Sequence, residues 1–360
     1  MTKRTLLAAS AAAALAAAPA AALELELFAT ADEIAGPTGV GSNTYAGFGT
    51  VGNEIYGFFS NSAGGTAFVS AGNPTDGFAP VIGNIALTDA GFGDGLSPNF
   101  EVLNVGTQLI VPDTLTGQGG LVSIETTTNT VSSYLSTAQI NAAAGTSTGT
   151  ARLIGVTTTP GAILYYFTTG DALYANNLTP GNATELFTAS DAAGVLGVST
   201  TDFDGAVATS TTYYAVGTDS DNIVAADLDN NGLPILSTFT EVFSTSEIEL
   251  IADPTDTSPS LTPREMILGP DGRIYLYEDD SNSLLSFDAT NPAGTLRVDI
   301  TEAQIQAATG GTIISDLGFF GDTLLLSSSF GGGPGLYAVV PEPASLGLLA
   351  LGGLVLRRRR

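Results

Sequence analysis

The residues best suited to chemistry in this sequence are carboxylates. The 360-residue chain contains no histidine and no cysteine, which excludes Ser-His-Asp and Cys-His nucleophilic sites and zinc sites built from those residues. Any catalysis would therefore have to use carboxylates, tyrosines or an oxygen-ligated metal ion, since no lysine remains after processing for a serine-lysine site. Asp202, Asp204, Glu265 and Asp316 are the candidates for a carboxylate pair that acts as a glycosidase or lyase on polysaccharide.

A second candidate site is a short acidic loop. Asp227-Leu228-Asp229-Asn230-Asn231-Gly232 has the D-x-D-x-N-G spacing with which a calcium loop begins, because short oxygen-bearing side chains at alternate positions converge on one ion. Asp227, Asp229 and Asn231 would be the ligands, and Ca²⁺ is the one cofactor that the sequence suggests. Position twelve would be Thr238 rather than a bidentate Glu, so a full EF-hand is excluded. The alternative is that these residues only form a turn.

The elements that would position these residues recur along the chain. A β-branched or aromatic run, a turn and a second apolar run predict a β-hairpin, and this unit returns six times at steps of roughly fifty residues. The first runs of the six hairpins are residues 54–59, 108–111, 163–167, 212–216, 273–277 and 323–326. The segments just before the hairpins carry the four carboxylates above, together with Asn99, Glu101, Arg152 and Arg264.

A helix-start signal follows the same period. The pattern S/T-x-x-E/Q, which is typical of a capping box, occurs at Thr30, Ser136, Ser244 and Thr301, with weaker relatives at Thr88 and Thr188. Each of the four follows a strand-like run. The repeating unit is therefore predicted to be four strands and one or two helical turns.

These repeats predict an all-β fold, a six-bladed β-propeller with short helical turns between its blades. Residues 23 to 340 divide into six units of 53 residues, close to the length of a four-stranded blade with a helical connector. The isolated run Leu23–Phe28 predicts an N-terminal strand that closes the last blade, whose third strand we expect to end at Val339. Closure of this kind leaves no long open sheet edge.

The fifth repeat, residues 269–288, contains Gly269-Pro270-Asp271-Gly272 between two strand-like runs. It resembles a blade of NHL-type six-bladed propellers, in which a P-D-G turn joins the two inner strands. That resemblance implies the fold and no particular activity. In a propeller, the segments before the hairpins lead into the channel-lining strands, so the listed carboxylates would gather at a channel mouth, where they could hold Ca²⁺ or act on a glycan. The alternative is that they are scattered, solvated charges.

Both ends of the chain carry export signals. A basic start at Lys3 and Arg4, an apolar stretch from Leu6 to Ala18 and small residues at 20–22 predict a signal peptide over residues 1–22 that signal peptidase removes. At the other end, residues 341–360 combine Pro341-Glu342-Pro343, an uncharged apolar segment over 344–356 and four terminal arginines, Arg357, Arg358, Arg359 and Arg360. The apolar segment is predicted to be a transmembrane helix, and the positive-inside bias places the arginines in the cytoplasm.

The C-terminal residues resemble the PEP-CTERM sorting tail of exported bacterial proteins, which is also catalogued as the ice-binding protein C-terminal motif. The resemblance implies that exosortase, a membrane transpeptidase, cuts near Pro341–Pro343. It also implies a precursor tethered in the inner membrane and a final location at the cell surface or outside the cell. The resemblance says nothing about the activity of residues 23–340.

Composition limits the partners of this body. Residues 23–340 carry 35 acidic residues and four arginines, a net charge of −31, which repels nucleic acid and anionic lipid. Export, repeats and the missing catalytic residue types favour a non-enzymatic protein with a binding or structural role at the cell surface or in the polysaccharide matrix. Two alternatives remain, the carboxylate-based glycosidase or lyase and a Ca²⁺-dependent adhesive module.

Overall fold

The chain forms a six-bladed propeller of four-stranded antiparallel sheets. The computed structural model describes residues 23–38, 45–60, 66–98, 102–113, 120–143, 145, 153–167, 172–198, 203–217, 222–253, 263–278, 280–311, 314–329 and 333–341. Within these ranges every strand belongs to one of the six sheets. The predicted all-β propeller is therefore confirmed.

Five blades are each built from four consecutive strands. From the innermost strand outwards, the strands are β2 Tyr45–Val51, β3 Glu54–Phe59, β4 Phe68–Asn73 and β5 Gly77–Ile82 in blade 1; β6 Leu103–Val105, β7 Gln108–Asp113, β8 Gly120–Glu125 and β9 Thr130–Ser136 in blade 2; β10 Leu153–Thr158, β11 Ile163–Phe167, β12 Ala172–Asn176 and β13 Thr184–Thr188 in blade 3; β14 Phe203–Ala208, β15 Thr212–Gly217, β16 Asn222–Asp227 and β17 Thr240–Phe243 in blade 4; and β18 Pro263–Leu268, β19 Arg273–Glu278, β20 Ser283–Asp288 and β21 Arg297–Ile300 in blade 5.

Blade 6 joins the two ends of the described chain. Its strands, from the inside outwards, are β22 Asp316–Phe320, β23 Thr323–Ser328, β24 Gly335–Pro341 and β1 Leu23–Thr30. The N-terminal strand thus closes the ring as predicted. Strand β24 runs two residues beyond the expected end at Val339, because Val340 and Pro341 pair with Glu24 and Leu23 of β1. The sheet therefore includes the first residue of the Pro-Glu-Pro sequence.

Within the described ranges, six short helices lie in the connections between blades. They are α1 Ala31–Ala35, α2 Asn84–Asp89, α3 Thr137–Ala143, α4 Ala189–Leu196, α5 Thr245–Ala252 and α6 Glu302–Thr309; single 3-10 turns occur at Gly36–Thr38 and Leu236–Thr238. Each helix follows the outermost strand of one blade and precedes the innermost strand of the next, so all six lie on one side of the ring, here called the helix face. The opposite side, the turn face, carries the turns between the first and second strands of each blade.

Capping boxes start most of these helices. Thr30 and Glu33, Thr188 and Asp191, Ser244 and Glu247, and Thr301 and Gln304 form reciprocal side-chain and backbone hydrogen bonds, and Ser136 and Gln139 make the same exchange. The predicted start at Thr88 is wrong, because α2 begins after Gly83 and Thr88 lies near its end. A buried residue stands directly before each of these caps, as Ala29 does before Thr30.

The core lies between neighbouring blades rather than within a single sheet. The middle strands are buried along nearly their whole length, as in β12, where all five residues are buried, because both faces of each sheet pack against a neighbour. Continuous apolar runs are typical of strands buried on both faces. Outermost strands have exposed residues, as in β13. Buried hydrophobic clusters occupy all six junctions between blades.

No helix among the described residues is both long and apolar enough to cross a membrane. The predicted transmembrane segment 344–356, the arginines 357–360 and the predicted signal peptide lie outside the described residues. The transmembrane helix therefore stays a prediction.

Candidate functional site

The channel end at the helix face contains the described carboxylates that the sequence nominated for chemistry. Glu265 lies near the start of β18 and Asp316 is the first residue of β22. These are innermost strands of neighbouring blades, and both side chains are almost completely buried, at 3% and 1% exposure. A third buried carboxylate, Asp113, ends β7 on the same face.

Glu265 and Asp316 each hold the backbone of the next blade. The Leu317 N–H donates to Glu265 Oε2 at 2.5 Å, which links blade 5 to blade 6. The Phe48 N–H donates to Asp316 Oδ2 at 3.0 Å, which links blade 6 to blade 1. Hydrogen bonds to an ionised acceptor are stronger than neutral ones, and a buried carboxylate requires such partners. These two side chains therefore stabilise the contact between blades.

The third carboxylate organises the junction of blades 1 and 2. The Ser97 N–H donates to Asp113 Oδ1 at 3.1 Å, and Pro98 forms a β-bridge with Asp113. Gly47 faces this segment: a Cβ atom there would lie 2.8 Å from both Asp316 Oδ2 and Pro98 Cγ. The absence of a side chain at Gly47 thus allows blade 6 and the segment before blade 2 to approach β2.

A polar cluster beside Asp316 contains a neutral tyrosine. Ser327 Oγ donates to the Tyr45 hydroxyl at 3.4 Å, and Ser315 Oγ donates to the Ser327 carbonyl at 3.2 Å. Burial raises the pKa of Tyr45 far above its usual value, and the negative charge of Asp316 raises the pKa further. Tyr45 is therefore protonated at every physiological pH, and its phenol is unsuited to act as a base.

The other nominated residues are placed only in part. Asp204 and Arg264 lie in β14 and β18, but their side chains are outside the described part of the chain. Asp202 is not described at all; the same holds for Asn99, Glu101 and Arg152. The structure brings Glu265 and Asp316 to adjacent blades at one channel mouth. It adds Asp113, which ends a second strand rather than leading into an innermost one, and Tyr45, which begins innermost strand β2 but is not one of the charged or amide residues that the sequence reasoning selected.

At the turn face the channel opens into a cavity of 240 Å³. Its lining includes Thr50, Val102, Asn104, Ile267 and Phe319, and none of the described lining residues has a titratable side chain. Thr50 Oγ1 donates to the Phe319 carbonyl at 2.7 Å, a further link between blades 1 and 6. The described residues at this end of the channel therefore offer shape and hydrogen bonds, and none of them is an acid or a base.

The predicted calcium loop forms a turn between β16 and β17. Asp229 Oδ1 accepts hydrogen bonds from the N–H groups of Asn231 and Leu233, both at 2.8 Å. Hydrogen bonding from the Leu233 N–H, and to a lesser extent from Asn231, lowers the pKa of Asp229. Asp227, the last residue of β16, is exposed, and its N–H donates to Thr238 Oγ1 at 2.9 Å.

Hydrogen bonds within the loop, from the Asn231 and Leu233 N–H groups to Asp229, thus hold it in its turn conformation. Among the described residues, no group of three or more acidic, histidine or cysteine side chains is arranged to hold a metal ion. The sequence pattern nominates two acids and one amide, Asp227, Asp229 and Asn231. Calcium binding at these three residues stays a prediction.

Known proteins resemble this chain at its C-terminal end and in its overall fold. Residues 339–360 match the PEP-CTERM protein-sorting motif. This motif marks a protein that is exported, is anchored transiently in the membrane and is then processed by exosortase to the cell surface. No curated protein matches the sequence.

Solved structures share the propeller fold at low sequence identity. A luciferin-regenerating enzyme is 10% identical, with 89% of this chain and 95% of that chain covered and a TM-score of 0.53. An auxiliary nutrient binding protein from Bacteroides ovatus is 10% identical, with 90% and 78% covered and a TM-score of 0.50. A virginiamycin B lyase from Staphylococcus aureus is 11% identical, with 88% and 99% covered and a TM-score of 0.49. The first two similarities show the fold alone.

Proposed function

We propose that the protein is a non-enzymatic propeller of the cell surface or extracellular polysaccharide matrix, where it has a binding or structural role. The main supporting observation is the sorting motif at residues 339–360, whose first three residues belong to the last strand of a closed ring. Export delivers this ring to a compartment that holds polysaccharide and other envelope components. A rigid propeller with two open faces is well suited to bind such a component.

The arrangement of the buried carboxylates supports a role without catalysis. Glycoside cleavage by an acid pair requires two carboxyl groups that face the substrate, about 5 to 9.5 Å apart. Glu265 and Asp316 are instead buried, and each accepts a backbone N–H from the neighbouring blade. Their geometry is that of structural groups, so we favour binding over the glycosidase or lyase alternative.

A retention experiment tests the proposal. Residues 23–341, which comprise the closed ring, are incubated with envelope and matrix polysaccharide fractions of the producing bacterium, and the bound protein is quantified. We expect retention on at least one fraction, no release of reducing ends and no unsaturated sugar products. The heat-unfolded protein is the control for non-specific adsorption.

Two results would contradict the proposal. The first is a lack of retention on every envelope and matrix fraction. The second is polysaccharide cleavage that substitution of Asp202, Asp204, Glu265 or Asp316 by the matching amide abolishes in a variant that remains folded at the assay temperature, while the exposed Asp322→Asn control leaves it intact. The second outcome would establish the carboxylate-based enzyme instead.

A further inference from the structure

The two processed ends of the chain leave the propeller at one point. Leu23, the first residue of β1, pairs with Pro341, the last residue of β24, so their Cα atoms lie about 5 Å apart as antiparallel partners do. The predicted signal peptide ends just before Leu23, and the sorting motif continues beyond Pro341. Both segments therefore leave from the outer part of blade 6, on the turn face.

A cleft of 480 Å³ lies at this point, between blades 5 and 6. Leu23, Val339 and Pro341 line it from blade 6, and Tyr275 lines it from blade 5, with Phe319 beside the Tyr275 ring. The two rings meet edge to face with centroids 5.8 Å apart. We call this cleft and its rim the closing corner.

Two aspartates border the closing corner. The Tyr275 hydroxyl donates to Asp271 Oδ2 at 2.8 Å, and the Arg273 N–H donates to Asp271 Oδ1 at 3.1 Å, so Asp271 holds its turn. Asp322 is exposed in the turn between β22 and β23. The rim is thus acidic, on a body whose net charge is −31, which disfavours contact with an anionic bilayer surface.

The short distance between the propeller sheet and the predicted cleavage region limits where the processing enzyme can bind. The motif begins at residue 339, so its first three residues lie inside the sheet, with β23 on one side and β1 on the other. Glu342 and Pro343, which separate this sheet from the apolar segment, can span at most about 7 Å in extended form. An enzyme that acts on Pro341–Pro343 must therefore approach the closing corner itself.

We propose that the closing corner is the surface of the folded protein that exosortase contacts, while the helix face points away from the enzyme. Folded residues of blades 5 and 6 then form part of the substrate, in addition to the tail. The proposal rests on the sorting motif and the ring geometry, and it is independent of the binding role proposed above.

The complete absence of cysteine allows a site-specific test on the full precursor. Three single-cysteine variants are reconstituted in liposomes: Asp322→Cys at the closing corner, Ser210→Cys on the turn face of blade 4 and Asp94→Cys on the helix face. All three positions are exposed. The rate of labelling by a membrane-impermeant maleimide is measured without and with a co-reconstituted, catalytically inactive exosortase.

We expect exosortase to slow labelling at position 322 several-fold and to leave positions 210 and 94 unchanged. Equal rates with and without the enzyme at position 322 would overturn the proposal, because the tail alone would then be recognised. Equal slowing at all three positions would overturn it too. Slow labelling at position 322 in liposomes without exosortase would show that the closing corner contacts the bilayer, which would also contradict the proposal.

A processing assay gives a second, independent readout. With active exosortase, Asp322→Lys should reduce the rate of tail removal several-fold, while the exposed helix-face control Asp94→Lys should be processed at the parent rate. Unchanged melting temperatures show that both variants fold. Parental processing of Asp322→Lys would contradict a contact at this corner.

Discussion

Blades 5 and 6 share one design but are built from the chain in different ways. In blade 5 the outermost strand β21 follows β20 along the chain, has four residues, and pairs through three of them. In blade 6 the outermost strand β1 comes from the other end of the chain, has eight residues, and pairs through seven. The longer pairing offsets the larger entropy of bringing distant residues together.

The outermost strand of a blade therefore need not be continuous in the chain with the other three strands. In both blades a buried residue precedes a helix cap, Ile300 before Thr301 and Ala29 before Thr30. The local pattern is therefore the same whether or not the strand is continuous with its blade. We expect the two blades to differ in how the whole ring responds when the strand is lost.

The largest effect should follow removal of the closing strand. Deletion of residues 23–29 exposes β24 and the buried residues under β1, so we expect the melting temperature to fall by more than about 10 °C. Differential scanning calorimetry measures the change, and added peptide of residues 23–30 should partly restore the transition by pairing with β24.

Removal of the opposite terminal segment is the matched control. A truncation that ends at Pro341 keeps every pair of the β1–β24 seam, so its melting temperature should equal that of the chain that retains the tail. If deletion of residues 23–29 changes the melting temperature as little as this truncation does, β1 does not hold the ring closed.

A smaller effect should follow loss of one carboxylate at the junction of blades 6 and 1. Asp316→Asn replaces the charged acceptor of the Phe48 N–H, and we expect the free energy of unfolding to fall by about 2 kcal/mol. Urea denaturation measures it. Asp322→Asn, exposed in the same blade, should change it by less than about 0.5 kcal/mol. Equal effects at the two positions would show that the contact between blades contributes little.

Much of this architecture is predictable from the sequence, because it follows from local patterns. Alternating apolar runs and turns give the blades, S/T-x-x-E/Q gives four of the helix starts, and its weaker relative with Asp191 gives a fifth at Thr188. The start at Thr88 failed because α2 begins after Gly83, which has no side chain to form a cap. Local spacing also places each strand within its blade. Because the last repeat lacks a fourth strand, the same spacing shows that the N-terminal strand completes the ring.

The channel contacts were less predictable. The sequence nominated Glu265 and Asp316 as acids for chemistry, but their partners, Leu317 and Phe48, are backbone groups of other blades. Residues 316 and 48 are separated by 268 positions, and no local pattern records which backbone group a carboxylate will meet. Asp113 was missed for the same reason, since only the tertiary fold brings Ser97 and Pro98 to it.

Low pH should destabilise the helix cap that follows β1 in blade 6 more than the corresponding cap that follows β21 in blade 5. The cap of α1, after β1, uses Glu33, whereas the cap of α6, after β21, uses Gln304, which does not titrate. Hydrogen bonds from Thr30 lower the pKa of Glu33 below 4.5, so its contribution is present above about pH 4.5 and is lost as the pH falls through the lowered pKa.

Glu33→Gln should therefore make stability less sensitive to acid. We expect its melting temperature to lie slightly below that of the parent at pH 7, where the charge favours the helix N-terminus, and at or above it at pH 3. The converse variant, Gln139→Glu at the α3 cap, should add acid sensitivity. Parallel pH profiles for parent and Glu33→Gln would show that the charge of Glu33 does not contribute to stability.

A similarly small effect should come from the turn that joins β16 to β17, which corresponds to the connection that is absent between β24 and β1 in blade 6. Asp229→Ala removes the acceptor of the Asn231 and Leu233 N–H groups, yet the strands on either side remain paired with their neighbours. We expect the melting temperature to fall by only a few degrees, far less than after removal of β1.

Melting curves in Ca²⁺ and in chelator test the predicted ion at the same time, with Asn230→Ala as the control within the turn. Because the Asp229 carboxylate already accepts hydrogen bonds from its own turn, we expect the parent to melt within about 2 °C in the two conditions. A rise of many degrees in Ca²⁺ that Asp229→Ala abolishes would instead establish a calcium site, and would make this local connection as important to the ring as the seam between its ends.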